Sequence, residues 1–362
     1  MSSINPKRLQ PGEKIRVLVV DDSVVIRSLV THALAEEAAV QVVGTASNGS
    51  IALQRVPQLN PDVLTLDIEM PVMDGLETLR RLRKEFPAVR VVMFSTLTER
   101  GATATLEALS LGADDYVTKA SNEGSLDRSM TRLREQLIPK IKQFFRFNDE
   151  GPPYVERRSR PDPLVLKPRS QQPKAVLIGV STGGPAALCE VLPQLPAGFP
   201  LPVLVVQHMP ALFTRLLAER LNASCKLPAA EAVSGELVKE GRIWIAPGEF
   251  HMKVSASGPD VRICLDQSPP LNSCRPAVDA LFSSAGEVYG GALIAVILTG
   301  MGQDGLRGAQ ILKARGATIL AQDEASSVVW GMPGAVVHAG LAEMVVPLGQ
   351  VVPMILRAAG WS

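Results

Sequence analysis

Ala175-Val-Leu-Ile-Gly-Val-Ser-Thr-Gly-Gly-Pro185 decides how the longer part of this chain folds. The apolar run Ala175 to Val180 reads as a buried strand. It passes through a glycine-flanked turn straight into Ala186-Ala-Leu-Cys-Glu-Val-Leu192, which has helical spacing. At such a strand-to-helix turn a serine exposes its hydroxyl, with backbone N–H groups beside it. That is how a serine nucleophile is presented next to an anion site. A serine here also serves as a plain helix cap or as part of a phosphate nest, and the turn alone does not separate these readings.

Two further residues favour chemistry. His208, in Leu204-Val-Val-Gln-His-Met-Pro210, ends another apolar strand. Asp304, in Ile297-Leu-Thr-Gly-Met-Gly-Gln-Asp-Gly305, lies in the loop after a third. In a parallel α/β sheet the carboxyl ends of strands share one rim, where sites form. Ser181, His208 and Asp304 can converge there as nucleophile, base and orienting carboxylate. The chain order Ser…His…Asp differs from the Ser…Asp/Glu…His order of α/β-hydrolases, so Gly-x-Ser-x-Gly here reads as a convergent match.

With 362 residues the chain has room for two domains with sizeable cores. Its 37 basic and 36 acidic residues leave a formal charge of +1, which offers no field for nucleic acid or an anionic membrane. The four cysteines, Cys189, Cys225, Cys264 and Cys274, lack Cys-x-x-Cys spacing and read as reduced thiols of a cytoplasmic protein. There is no secretory signal at the N-terminus and no apolar run of membrane-spanning length.

From Ile15 to about Phe145, five strand candidates (Ile15–Val20, Val40–Thr45, Val63–Leu66, Val91–Phe94, Asp115–Thr118) alternate with helical patterns. The pattern predicts a doubly wound (βα)5 domain over residues 15–145, after a tail at 1–14. Residues 146–173 carry six prolines and read as a semi-rigid linker. Residues 174–362 predict a second doubly wound, mostly parallel α/β domain. A small β-rich insert is expected at about Leu237–Leu265, with strands at Arg242–Ile245, Phe250–Val254 and Val261–Leu265.

In the first domain Asp21-Asp22 end the first strand and Asp67 ends the third, within Asp62-Val-Leu-Thr-Leu-Asp-Ile-Glu-Met-Pro-Val-Met-Asp-Gly75. Ser95 ends the fourth strand and Lys119 follows the fifth. Three carboxylates on one rim repel unless a cation joins them, and all-oxygen ligands suit Mg2+. The set suits metal-assisted phosphoryl transfer to an aspartate. It closely resembles a response-regulator receiver domain. The resemblance implies Asp67 as phosphoacceptor, with Asp21, Asp22, Asp67 and the carbonyl of Glu69 around Mg2+. It also implies Ser95 and Tyr116 as a switch pair and Lys119 as partner of the phosphoryl group. Ala120 stands where that family has proline.

A receiver, a proline-rich linker and then Gly-Val-Ser-Thr-Gly-Gly-Pro185 is similar to the chemotaxis methylesterase family. Gln207-His-Met-Pro210, Ile245-Ala-Pro-Gly248 with His251-Met252, Arg275-Pro276, Leu298-Thr-Gly-Met-Gly-Gln-Asp-Gly305, Ala321-Gln-Asp-Glu-Ala-Ser-Ser327 and Gly331-Met-Pro-Gly334 carry the likeness further. It implies the triad Ser181, His208 and Asp304, with oxyanion partners Thr182 and the N–H of Met301. It also implies phosphorylation-activated hydrolysis of receptor glutamate γ-methyl esters, glutamine deamidation, and no cofactor in the catalytic domain. The implied partners are the cytoplasmic helices of methylated chemoreceptors and a histidine kinase as phosphodonor, with the protein peripheral to receptor arrays. His251 reads as a structural histidine as readily as a site residue. Cys274, where this family often has histidine, reads as an inert thiol. Trp330 and Met332 read as packing around the site.

Two other readings compete. In one, the second domain only docks other proteins, which an intact Ser/His/Asp set opposes. In the other it binds phosphate or a nucleotide at Gly183-Gly184, but this turn has neither Gly-x-x-x-x-Gly-Lys-[Ser/Thr] nor Gly-x-Gly-x-x-Gly.

Overall fold

The computed structural model describes residues 7–119, 126–146 and 171–361. The linker, apart from its ends, and Ala120 lie outside the described residues.

The N-terminal unit contains β1 (Lys7–Arg8), β2 (Ile15–Val20), α1 (Val24–Ala35), β3 (Val40–Ala46), α2 (Gly49–Leu59), β4 (Val63–Asp67) and α3 (Gly75–Glu85). It continues with β5 (Arg90–Ser95), α4 (Glu99–Ser110), β6 (Asp115–Thr118), α5 (Leu126–Lys142) and β7 (Phe145–Arg146). Five strands form a parallel sheet in the order β3-β2-β4-β5-β6. Strand order reverses beside β2, so the rim above β2 and β4 is a crevice where ligands bind. β4 and β5 are buried along their whole length because helices cover both faces.

The expected N-terminal tail joins this fold. β1 pairs with β7, and Leu9 is 2% exposed in the core formed with α1 and α5. Lys7 pairs with Glu13 and Asp62. A single apolar residue among polar ones gives no periodic signal. The final helix ends at Lys142, and Phe145 enters β7.

The C-terminal unit contains β8 (Ala175–Val180), α6 (Gly184–Val191), β9 (Val203–Gln207), α7 (Ala211–Ser224), β10 (Ala229–Glu231), β11 (Ile243–Ile245), β12 (His251–Ser257) and β13 (Asp260–Asp266). Then follow α8 (Val278–Tyr289), β14 (Leu293–Ile297), α9 (Leu306–Ala314), β15 (Thr318–Gln322), α10 (Met332–His338), β16 (Met344–Val346) and α11 (Val351–Ala359). A seven-stranded parallel sheet runs β10-β11-β9-β8-β14-β15-β16. The chain leaves β8 on one side for β9 and later returns on the other side as β14, so β8 is the switch point.

The insert differs from expectation. Only β12 and β13 form it, as an antiparallel hairpin, whereas β11 pairs with β9 inside the main sheet. Three apolar residues, Ile243-Trp-Ile245, fit a short parallel strand as well as a hairpin, and only the neighbour decides.

The two units share one continuous core. α4 lies against α6 and α7, and the Tyr116 and Phe213 rings stack at 4.7 Å. Arg215 also pairs with Glu99 at 2.9 Å, an exposed contact worth little by itself.

Leu9→Ala should destabilise the N-terminal unit by about 2–4 kcal/mol, because it empties a buried leucine site. Urea unfolding checks this; a change within about 0.5 kcal/mol, as for a surface substitution, would return Leu9 to a loose tail.

Candidate active site

At the rim of the N-terminal sheet the ligand atoms of Asp21, Asp22 and Asp67 lie within 4.8 Å of one another. Asp21 and Asp67 are buried and Asp22 is exposed. Lys119 reaches both buried carboxylates, at 2.9 Å to Asp21 Oδ2 and 2.8 Å to Asp67 Oδ1. Burial pushes the Asp67 carboxyl up to about 6, against the Lys119 hydrogen bond and with the help of the Asp21 charge. One lysine against three carboxylates leaves the pocket short of positive charge. An all-oxygen donor set of this kind fits Mg2+. Glu69 is exposed and its carboxylate lies 3.3 Å from Arg100. Ser95 is buried, and its Oγ accepts a 2.6 Å hydrogen bond from Thr105.

In the C-terminal sheet, Ser181 follows β8, His208 follows β9 and Asp304 lies in the loop after β14. These three strands are adjacent, so the rim gathers the three residues. The helix α6 starts at Gly184, and its N-cap is Gly183 at φ 77°, which offers no side-chain cap. Ser181 is therefore not the helix cap, and the left-handed turn at Gly183 leaves its hydroxyl unspent. Gly300 packs directly on Ser181: a Cβ there would sit 2.8 Å from Ser181 Cβ, which brings the 299–302 loop and the Met301 backbone alongside. Ser181 N–H donates to Thr299 O at 3.0 Å, and Gln207 Nε2 donates to Ser181 O at 2.9 Å.

His208 Nε2 lies 2.8 Å from Asp304 Oδ2. Asp304 is 2% exposed and accepts from the N–H groups of Val278, Asp279 and Gly305 and from Asn272 Nδ2. Burial raises its pKa, but these donors and His208 hold the net value below the usual carboxylate range. Burial pulls the His208 imidazole down, yet the hydrogen bonds with Asp304 and Cys274 prevail and push it up to about 9.

The turn at 271–276 carries residues that sequence reasoning missed. Asn272 and Ser273 take positive φ, 50° and 61°, and Asn272 Nδ2 bridges Asp304 Oδ1 and Asp279 Oδ2 at 3.0 Å each. Cys274 Sγ lies 3.5 Å from His208 Nδ1, which differs from its expected inert setting. No local pattern could have found Asn272; its partners come from residues 279 and 304. His251 is fully buried, with Nε2 3.1 Å from Pro269 O, away from the triad. Trp330 donates to Gln322 O and Met332 is fully buried, both as packing residues.

The N-terminal unit closes this site. A cleft of about 40 Å³ is lined by Ser181, Thr182 and His208 on one side and by Asp115, Tyr116 and Lys140 on the other. That is room for a water or two, not for a glutamyl ester. Thr182 Oγ1 lies 3.1 Å from Asp115 Oδ2 and 3.2 Å from Gln143 Oε1. Both are acceptors, so its one proton serves them in turn. Lys140 pairs with Asp115 Oδ1 at 2.7 Å and lies 5.0 Å over the Tyr116 ring. Met301 is 43% exposed at the rim. A larger groove of about 820 Å³ lies between α8 and α9 and holds none of the triad.

The raised His208 pKa makes its protonated form a stabilising one. That contribution is full below the unfolded value of about 6.5 and fades as pH rises through about 9. Asp304→Asn should lower the imidazole pKa by about one unit or more and flatten the stability loss across this window. Imidazole NMR titration checks it; an unmoved pKa would deny the pairing.

The description CheB methylesterase matches residues 176–355, and response regulator receiver domain matches residues 17–131. A protein of Trichodesmium erythraeum (strain IMS101), named protein-glutamate methylesterase/protein-glutamine glutaminase, is 47% identical over 355 residues, covering 96% of this chain and 99% of its own. A protein of the same name from Nocardioides sp. (strain ATCC BAA-499 / JS614) is 50% identical over 352 residues, with 96% and 95% covered. The crystal structure of the Thermotoga maritima CheB methylesterase catalytic domain is 45% identical and has a TM-score of 0.51, covering 52% of this chain and 99% of that one. Sequence identity along almost the whole length places the chain in the CheB methylesterase family, with a response regulator receiver domain ahead of its methylesterase domain.

Proposed function

We propose that this chain hydrolyses glutamate γ-methyl esters of chemoreceptors, deamidates receptor glutamines at the same site, and is controlled by phosphorylation of Asp67. The observation that carries this reading is the 2.8 Å His208–Asp304 pair on the rim where Ser181 ends β8. In this reading the receiver spans 15–145, braced by residues 7–14. Residues 146–173 link it to the methylesterase domain, 174–362.

His208 Nε2 is committed to Asp304, so in the neutral imidazole Nδ1 takes the proton of Ser181 as its oxygen attacks the ester carbonyl. Asp304 holds the tautomer and stabilises the imidazolium. The N–H of Met301 and Thr182 stabilise the tetrahedral oxyanion, a contribution of about 3–4 kcal/mol for one such donor. The imidazolium returns its proton to the leaving methoxide, or to the amine of a glutamine. Water then opens the acyl-serine by the same route. Among the described residues no helix is long and apolar enough to cross a membrane.

The receiver restrains this chemistry in two ways. It fills the approach to Ser181, and it points the Asp115 carboxylate at Thr182, where negative charge would develop. A kinase-derived phosphoryl group on Asp67 would be held by Lys119, with Mg2+ bound by Asp21, Asp22, Asp67 and the Glu69 carbonyl. The bound Mg2+ would neutralise charge on the phosphoryl oxygens. Ser95 and Tyr116 form the expected route outward, and Tyr116 is the residue stacked on Phe213 of the methylesterase domain.

Methanol release from methylated receptor membranes tests the chemistry. Ser181→Ala should lose at least about a thousandfold in rate, and Asp304→Asn less. Near-normal release by Ser181→Ala would rule out the serine route. Asp115→Ala should raise the activity of the unphosphorylated full-length protein by roughly fivefold or more, toward that reached with a small-molecule phosphodonor. Unchanged basal activity would exclude Asp115 as the restraint.

A further inference from the structure

The thiol of Cys274 lies against the one imidazole nitrogen that the His208–Asp304 pair leaves free. Sγ is 3.5 Å from Nδ1, and Nε2 is 2.8 Å from Asp304 Oδ2, so thiol, imidazole and carboxylate stand in a row. This places a base in contact with the thiol, the base itself oriented by a buried carboxylate. The turn Asn272-Ser273 fixes it, since Leu271 and Cys274 bond each other's backbone across two left-handed residues. Cys274 is also partly exposed, as are Cys189 and Cys225.

The other cysteines differ. Cys189 and Cys225 are packed against the core, and burial pushes both thiols up, Cys225 to about 11, which disfavours the reactive form. Cys264 is exposed and lies on the hairpin strand β13. Only Cys274 combines access with a histidine partner among the four.

We propose that Cys274 is a modification site for hydroperoxides and other small electrophiles, and that its oxidation switches off the site by taking Nδ1 of His208 away from Ser181. The thiolate attacks one peroxide oxygen. The S–O bond forms as the O–O bond breaks, sulfur is oxidised by two electrons, and the peroxide is reduced. The departing hydroxide takes the imidazolium proton and leaves as water. The product is a sulfenic acid whose oxygen lies beside Nδ1, where the Ser181 hydroxyl has to bond. A dithiol reductant reverses it, restoring the thiol with release of water. The loss of activity rests on the serine-esterase reading above; the reactivity of Cys274 does not.

The test uses the full-length protein and hydrogen peroxide, with a sulfenic-acid trap and peptide mass spectrometry. Cys274 should be trapped ahead of Cys264, and His208→Gln, which removes the base in contact with the thiol, should slow labelling of Cys274 by about tenfold. Labelling of Cys274 no faster than that of Cys264, or unaffected by His208→Gln, overturns the site. In parallel, methanol release is compared before and after peroxide for each protein. The wild-type ratio should fall and recover with dithiothreitol, whereas the ratio for Cys274→Ser should stay near unity. A wild-type ratio that holds while Cys274 is fully sulfenylated overturns the switch. If untreated wild type releases no methanol, the esterase reading has failed, and the labelling still decides the modification site.

Discussion

A carboxylate only 2% exposed has to be compensated, and the way Asp304 is compensated organises the methylesterase domain. Two of its donors are the first N–H groups of α8, a helix whose own N-cap, Ala277, supplies no side-chain acceptor. Asp304 thus caps α8 from a distant loop, and the positive end of that helix helps keep it ionised. Asn272 ties it to Asp279, which in turn accepts from Gly308 N–H at 2.7 Å in α9. The remaining lone pairs meet His208. One buried charge therefore fixes two helices, one turn and the imidazole, and the chemistry inherits its geometry from a structural requirement.

The same economy of contacts joins the two halves. Each sheet has its site at a switch point, one beside β2 and the other at β8. Between them stands β6, which ends next to Lys119 beside the Asp21–Asp67 pocket and begins with Asp115 and Tyr116 beside Thr182 and Phe213. This one short strand therefore carries Asp115 and Tyr116, which touch Thr182 and Phe213, and leads directly into Lys119. The polar contacts of Asp115 are directional and lie at the border of two packed surfaces. Such a border has two discrete arrangements more readily than a continuum of them.

Cys274 adds a constraint to this arrangement. His208 has two nitrogens and three neighbours with claims on them: Asp304, Ser181 and Cys274. Asp304 holds one permanently because its charge is buried. The other faces the Cys274 thiol at 3.5 Å.

Both sheets, their parallel sense and the acidic pocket were legible in the sequence, because each depends on a local pattern: an apolar run, then a turn carrying Asp, Ser or His. Parallel strands put such turns on one rim whatever the details, so Ser181, His208, Asp304, Asp21 and Asp67 could be named from order alone. The place of β11 in the main sheet, the burial of Leu9 and the partners of Asn272 were not legible, since each is decided by residues far along the chain. The same holds for two contacts at the candidate active site. Asp115 meets Thr182 across 67 positions, and Cys274 meets His208 across 66. The sequence by itself determined which groups sit at strand ends, because backbone periodicity is a short-range property. Only the tertiary structure decided which of those groups face one another, because packing, not spacing, brings distant turns within bonding distance.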